Sequence, residues 1–566
     1  MNNIDSKRAN TKTVSRHEYY WLTISLVGII FLYLLTLSKN HTEGEDSIYY
    51  IMQVTDGSAD KLFHPNHLLF NYLHRIIYNV WIWLGYTRTA ELSMQLVTVV
   101  TAIICLFLIY SLAKKISLHN RTALFLTGLV TTSYGFWIYS VQGETYIPPL
   151  LFVLLSGYQL VNLYNPHAQN FVMPKLFPII RLGIYAALAT LIHQQHVFLI
   201  PVIALTLFEI WRKFHRHTGI AFLVSRISVF LGTAISIVGT TYLYVSYTIF
   251  NTTNLSEAIL WAKGSARGGL FTPFSWTSPL KAVVGMIKTV WGTNFLFGYQ
   301  WFSKFAQSMF PNKLIVEEQY LADSISNYRL LIISVSMVIS GIIAGILLAR
   351  LAQSIFIKKN RAKDNDNLPR KILSIFCIWF LAIYGGAIIL WEPDNIEFWI
   401  AVTPIFYLWI AIQLNIWADN IKPALYFILL VTMFLANLLG GALPYSSRQT
   451  DYWYQANAFL IARTTKSDLI ITECGYICTG YLEFYTDGTI LPASSIDSGK
   501  LVKTIQEHHQ GNVIISSWAL TPPPGLGNQL ETRNDREILA TIDSFKDNLV
   551  EIHRDKFQTL WQFKHK

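Results

Sequence analysis

The residues able to do chemistry gather in five short stretches. These are Glu43-Gly44-Glu45-Asp46-Ser47, His64-Pro65-Asn66-His67, Gln142-Gly143-Glu144-Thr145-Tyr146, His193-Gln194-Gln195-His196 and Trp391-Glu392-Pro393-Asp394-Asn395-Ile396-Glu397. Each is rich in carboxylates, imidazoles or amides, and none contains Lys or Arg. A carboxylate such as Asp46 can take the proton of a hydroxyl and make it a nucleophile. Glu45 beside it would discourage simultaneous ionisation and raise a pKa. His64 and His67 are three apart and could share a helical face, and with a carboxylate they could bind a divalent metal or a phosphate. Pro65 between them equally fits a turn followed by a helix start. His193 and His196 repeat the spacing. Glu144, with Tyr146 two residues on, precedes an apolar run, and Glu392, Asp394 and Glu397 flank another. Acids in these positions suit a helix N-terminus. A sixth stretch, Trp261-Ala262-Lys263-Gly264-Ser265-Ala266-Arg267-Gly268-Gly269, places Lys263 and Arg267 in a glycine-containing loop suited to a phosphate at a membrane surface. Contact with lipid headgroups accounts for the same two residues. Taken singly, each cluster also reads as an ordinary polar turn. The chain has neither a P-loop nor a Gly-x-Gly-x-x-Gly after a strand, so nucleotide binding is not supported.

The elements that must position these residues follow from composition. Of 566 residues, 52% are hydrophobic and 14% charged, against about 25% charged in a soluble domain. Such a chain cannot cover a water-facing surface, which excludes a soluble enzyme, a disordered scaffold and a collagen-like fibre. A polytopic α-helical membrane protein remains. Eleven apolar runs have about the length that crosses a hydrocarbon core: 21–37, 92–112, 121–140, 145–163, 176–192, 196–211, 220–249, 328–351, 371–390, 396–414 and 422–441. The first follows Lys7, Arg8, Lys12 and Arg16, and no Ala-x-Ala-like site follows it, so it reads as an uncleaved anchor. Lys114, Lys115, Lys175, Arg212, Lys213, Arg216, Lys358, Lys359, Arg361, Lys363, Arg370 and Lys371 then fall in alternate loops, which the positive-inside rule assigns to the cytoplasm together with the N-terminus. All five polar clusters face outward and would line one cavity if the bundle brings the loops together. The net charge of +10 fits cytoplasmic loops facing anionic lipid. Without a basic stripe interleaved with aromatics on a soluble domain, nucleic acid is not an expected partner.

The expected organisation is a cytoplasmic tail (1–20), a transmembrane domain (21–441) with long external loops at 38–91 and 250–327, and an extracytoplasmic α/β domain (442–566). The stretch 71–78 suits a helix lying in the interface. The runs Asp468–Thr472 and Asn512–Ser516 read as strands, and Pro522-Pro523-Pro524-Gly525 as a loop. Cys105 and Cys377 sit in apolar runs as packing residues. Cys474 and Cys478 lack further ligands at zinc spacing and could close a local disulfide if that region is external.

On these residues the chain resembles the type-C glycosyltransferase superfamily, specifically its protein O-mannosyltransferase and aminoarabinose transferase-like branch. Glu45-Asp46-Ser47, followed by Tyr49-Tyr50, stands where the family carries an acidic motif after its first span. His64-Pro65-Asn66-His67-Leu68-Leu69-Phe70 is similar to a His-Pro-x-x-x-Leu-Phe stretch, and His196-Val-Phe-Leu-Ile-Pro201 to a His-apolar-Pro segment. The order Glu-Asp, where many members have Asp-Glu, leaves open whether Glu45 or Asp46 is the base. The resemblance covers the layout of roughly residues 20–440. It implies a polyprenyl-phosphate-linked sugar as donor, a glycan, lipid or protein hydroxyl as acceptor, and inverting displacement on the outer or lumenal face of the membrane. It also implies donor-phosphate roles for His64, His67, His193, His196, Lys263 and Arg267. Glu144, Tyr146, Glu392, Asp394 and Glu397 are the candidates for lining the substrate pocket. The resemblance implies no certain cofactor, and a divalent metal stays open. The competing readings are a transporter, which would need mid-membrane polar groups and paired repeats, and a non-enzymatic membrane assembly protein.

Overall fold

The computed structural model describes residues 16–163, 176–264, 274–309, 315–357, 367–414, 423–521, 523, 541–542 and 544–564. Each of the eleven predicted apolar runs contains helix. In chain order the helices through the bundle are α1 (Arg16–Leu35), α2 (Asp46–Asp56), α3 (Ala59–Leu62), α4 (Phe70–Trp83), α5 (Glu91–Lys115), α6 (Asn120–Thr132), α7 (Tyr134–Ser140), α8 (Ile147–Asn162), α9 (Leu176–Ile192), α10 (Leu199–Ile210), α11 (Ile220–Thr248), α12 (Leu255–Ala262), α13 (Ser278–Val290), α14 (Gln300–Met309), α15 (Val316–Asp323), α16 (Asn327–Ile357), α17 (Leu368–Leu390), α18 (Ile396–Trp399), α19 (Val402–Leu414), α20 (Pro423–Asn437) and α21 (Leu443–Tyr445). Among the described residues six helical stretches are long and apolar enough to cross a bilayer, and Leu22–Leu35, Ile147–Asn162 and Leu176–Ile192 are shorter apolar helices. One contiguous core, from Leu22 to Tyr445, joins the bundle.

Two predicted spans are broken. The run 121–140 divides at Ser133, whose backbone is extended. Just before the break the hydroxyls of Thr127, Thr131, Thr132 and Ser133 all bond carbonyls four residues back, a pattern that loosens and bends helices. Asn437 Nδ2 then donates to the freed Thr132 carbonyl at 2.6 Å. The run 396–414 divides into α18 and α19. The breaks turn Tyr134, Tyr139 and Glu397 toward the polar end of the bundle.

After α22 (Tyr452–Ala456) and α23 (Ala458–Arg463) comes a small sheet domain, with α24 (Gly475–Tyr485), α25 (Ser498–Glu507) and strands β1 (Leu469–Thr472), β2 (Thr489–Pro492), β3 (Val513–Ser516), β4 (Leu549–Arg554) and β5 (Thr559–Phe563). The strand order is β2-β1-β3-β5-β4. β1 runs parallel to β2 and β3, and β5 runs antiparallel to β3 and β4. β1 and β3 are buried throughout, which is why both read as continuous apolar runs. Alternate residues face opposite sides. Ile470 and Ile514 pack with Cys478, Tyr481 and Leu482 of α24; Leu469, Ile471, Val513 and Ile515 pack with Leu501 and Ile505 of α25. Ile48 of α2 belongs to the α24 side of this core, so the small domain holds α2 down. Cys474 and Cys478 form a disulfide, and Cys105 and Cys377 are free and buried. Pro523 is described; its loop neighbours Pro522, Pro524 and Gly525 lie outside the described residues.

Candidate active site

Helix α2 presents the acidic motif. Its buried positions Ser47, Ile48, Ile51 and Val54 recur at helical spacing. It stops at Gly57, whose φ of 77° is the left-handed end that glycine takes without strain. Arg75 Nη1 donates to the last carbonyls, Val54 O at 2.7 Å and Thr55 O at 2.8 Å, a cation where the helix dipole favours one. At the other end Asp46 occupies the first turn, where that dipole favours an anion. Tyr50, four residues on, donates to Asp46 Oδ2 at 3.3 Å.

Glu45 and Asp46 are reached by solvent, yet protein surrounds both closely enough that desolvation leads the influences on each. The adjoining Gly44 packs against Gln142 and the buried Glu144, and the buried Tyr50 bonds Asp46, so the two acids line an inlet between these elements. Burial first, then the charges of Glu397, Asp46, Glu318 and Glu43, push the Glu45 carboxyl up to about 8. Burial also raises Asp46, while the Tyr50 hydroxyl opposes the rise. Water in the inlet screens part of both effects.

The loop around these acids is tightly fixed. Glu43 Oε2 accepts from Tyr134 Oη at 2.6 Å, Tyr445 Oη at 2.9 Å and Asn294 Nδ2 at 3.0 Å. The Tyr134 ring fits because residues 292 and 441 are glycine; a Cβ there would stand 2.5 Å and 2.6 Å from it. A Cβ on Gly44 would meet Gln142 Oε1 at 2.0 Å and Glu144 Cγ at 3.0 Å. Glu144 is fully buried, its Oε2 accepting from Thr145 N at 3.2 Å. Burial, then Glu397 and Asp46, hold its carboxyl well above the ordinary range. Glu397 takes hydrogen bonds from Tyr146 Oη at 2.7 Å and Tyr139 Oη at 3.2 Å. The structure thus brings Glu45, Asp46, Glu144, Tyr146 and Glu397 to one recess. Asn395 Nδ2 donates to Glu392 Oε2 at 3.1 Å and to Glu397 Oε2 at 3.4 Å, and Asp394 sits against α13, its Cα 3.1 Å from a Cβ built on Gly285.

The imidazoles form the neighbouring wall. His64 and His67 stack at 4.6 Å, and His67 meets the Tyr50 ring edge-on at 4.6 Å. His193 lies 4.9 Å from the Tyr146 ring, and His196 Nδ1 is 3.0 Å from Tyr384 Oη. Burial depresses His193 to about 4 and His67 well below its usual value, so both rings are neutral near pH 7. Lys263 caps α12 and is exposed. Gln194 Nε2 donates to Ala262 O at 2.9 Å, and a Cβ on Gly264 would meet Asn66 Oδ1 at 2.1 Å. The end of α12 therefore joins the two histidine turns. Arg267 lies outside the described residues. The paired rings His64 and His67 stack face to face rather than converge their nitrogens, and among the described residues no group of three or more His, Cys, Asp or Glu is placed to hold a metal ion.

The architecture has solved counterparts. The structure of ArnT from Cupriavidus metallidurans bound to undecaprenyl phosphate aligns with 96% of this chain and 97% of its own at TM-score 0.55 and 9% identity. Its apo structure aligns with 96% and 98% at TM-score 0.56 and 10% identity. The chain has the ArnT fold. The likeness that the motifs implied to type-C glycosyltransferases holds at the level of fold. The archaeal oligosaccharyltransferase AglB from Archaeoglobus fulgidus aligns more distantly, over 89% of this chain and 70% of its own at TM-score 0.43 and 12% identity. No protein-family model and no curated protein sequence matches the chain.

Sequence reading named Glu43 only as part of its cluster and did not single out Tyr139, Asn294, Tyr384 or Tyr445. Asn294 and Tyr445 reach Glu43 across 251 and 402 residues, so no local pattern marks them. Tyr50 did carry a signal, since it lies four residues after Asp46 on a helix.

Proposed function

We propose that this protein is an integral-membrane glycosyltransferase that moves a sugar from a polyprenyl-phosphate-linked donor to an acceptor hydroxyl. The observation that carries the reading is the inlet itself: a solvent-reached Asp46 at the head of α2, with neutral imidazoles and an exposed lysine on the adjoining wall. The ArnT fold supports it. In this reading the acceptor hydroxyl enters the inlet and its proton passes to Asp46. Its oxygen bonds the anomeric carbon as the bond from that carbon to the phosphate oxygen breaks, with inversion. The departing polyprenyl phosphate takes hydrogen bonds from His64, His67 and His193 and charge from Lys263. Glu45, protonated near neutrality, is the weaker candidate for the base. No step is routed through a metal ion.

The reading carries a topology: residues 1–20 in the cytoplasm, a transmembrane domain to 441, and the sheet domain from 442 outside the inner or plasma membrane. The deciding experiment is sugar transfer in reconstituted membranes from a panel of radiolabelled polyprenyl-phosphate sugars. Transfer by wild type that collapses in Asp46→Asn supports the enzyme and names the donor. Absence of transfer from every donor, with both proteins folded, shifts weight toward a diphosphate-linked donor or a transporter. Equal transfer by both makes Glu45 the base to test.

A further inference from the structure

Tyr476 sits in the first turn of α24 and is 61% exposed. It is nevertheless held rigidly. It follows Gly475, at φ 80°, inside the loop closed by the Cys474–Cys478 disulfide. Its ring stacks on Tyr49 at 4.2 Å with 16° between planes, and Tyr49 Oη donates to the Tyr476 carbonyl at 2.6 Å. Tyr49 is seated in turn on Gly480, where a Cβ would stand 2.7 Å from the ring. Two tyrosines 427 residues apart thus make a fixed aromatic step between α2 and the small domain. Tyr49 lies three residues after Asp46 on α2 and so shares its side of the helix, which places the step at the lip of the inlet.

We propose that the Tyr49–Tyr476 step is the acceptor subsite, taking the apolar C–H face of a sugar ring in a glycan or glycolipid while the carboxylates beside it accept from the ring hydroxyls. A rigid, already exposed aromatic offers contact area without an ordering cost on binding. A sugar ring has the matching two-sided chemistry, one apolar face and a rim of donors. A peptide acceptor would call for a free strand edge or a row of side-chain pockets, whereas the step offers one flat face bordered by acids. The word acceptor rests on the glycosyl-transfer reading; the binding of a sugar ring does not.

The test is saturation-transfer NMR on the full chain in nanodiscs, with a panel of free oligosaccharides and a Ser/Thr-containing peptide as probes. Wild type is expected to bind at least one glycan through its ring protons. Tyr476→Ala should weaken that binding about tenfold, and Tyr476→Trp should keep it. Tyr476→Leu, bulky but without a π face, decides the matter if the alanine variant does not fold. In turnover the acceptor KM rises by the same factor while kcat and the donor KM hold. Undiminished glycan binding by Tyr476→Ala, binding of the peptide alone, or no glycan bound by wild type each overturns the proposal. Glycan binding that depends on Tyr476 in a protein that transfers no sugar refutes glycosyl transfer and leaves the sugar-ring site standing.

Discussion

Asp46 and Glu45 are neighbours in sequence but differ in partners. Asp46 has the Tyr50 hydroxyl, which opposes the rise that burial imposes on it; Glu45 has four acids adding to that rise. Asp46→Asn should cut transfer by about 10²–10⁴-fold, the usual worth of a positioned general base, measured as initial rate at saturating donor. A base must be deprotonated, so activity falls as pH drops through the raised Asp46 pKa. Tyr50→Phe removes the one influence lowering it, so the acid limb of the pH–rate profile should move to higher pH. Glu45 yields a stability prediction of definite sign. Its folded-state value, about 8, stands above the ordinary 4.5. Its favourable contribution is complete below 4.5 and is lost as pH rises through about 8. Glu45→Gln mimics the protonated form, so thermal unfolding should show the variant more stable than wild type above pH 8 and equal to it below pH 4.5.

Among the elements, the acidic loop and α2 depend on close approaches. Gly44→Ala forces a methyl onto Gln142 and Glu144 and should cost about 1–3 kcal/mol, the range for overpacking, with loss of activity because the carboxylates are displaced. Asn437 is buried and makes three backbone hydrogen bonds, to Thr132 O, to Val290 O and from Gly292 N. Asn437→Ala leaves those groups unpaired at about 1–3 kcal/mol each, so a large drop in melting temperature is expected. The sequence marked α2 as acidic but gave no sign of what holds it. Its clamps, Arg75, Tyr476 and Asp451, come from distant segments, and Asp451 acts through His41, whose Nδ1 lies 2.9 Å from Ser47 Oγ.

At the scale of the whole molecule, the clearest prediction is sidedness. Lys503→Cys on α25, its side chain 71% exposed, should label from outside intact cells with a membrane-impermeant maleimide. Arg212→Cys, with its side chain 52% exposed beyond α10, should label only after permeabilisation. The native thiols Cys105 and Cys377 are buried and should stay silent. The reverse pattern would overturn the orientation and place the inlet on the cytoplasmic side.

Apolar run length and low charge content were enough to define a helical membrane chain, because burying backbone in hydrocarbon leaves few alternatives to helix. The strands 469–472 and 513–516 were legible for a similar reason, being short, apolar up to a closing Thr472 or Ser516, and bounded by polar turns. Glu45, Asp46, Glu144, Tyr146 and Glu397 were visible as polar groups at the ends of apolar runs. Tertiary structure alone decided that Glu43 is tied by Tyr134, Asn294 and Tyr445, that one Asn395 amide serves both Glu392 and Glu397, and that the small domain brings Tyr476 to the lip of the inlet. The physical reason is that a local pattern records which face of an element avoids water, whereas the identity of the atom across a contact is set by helix packing, and nothing in the sequence between two such residues encodes it.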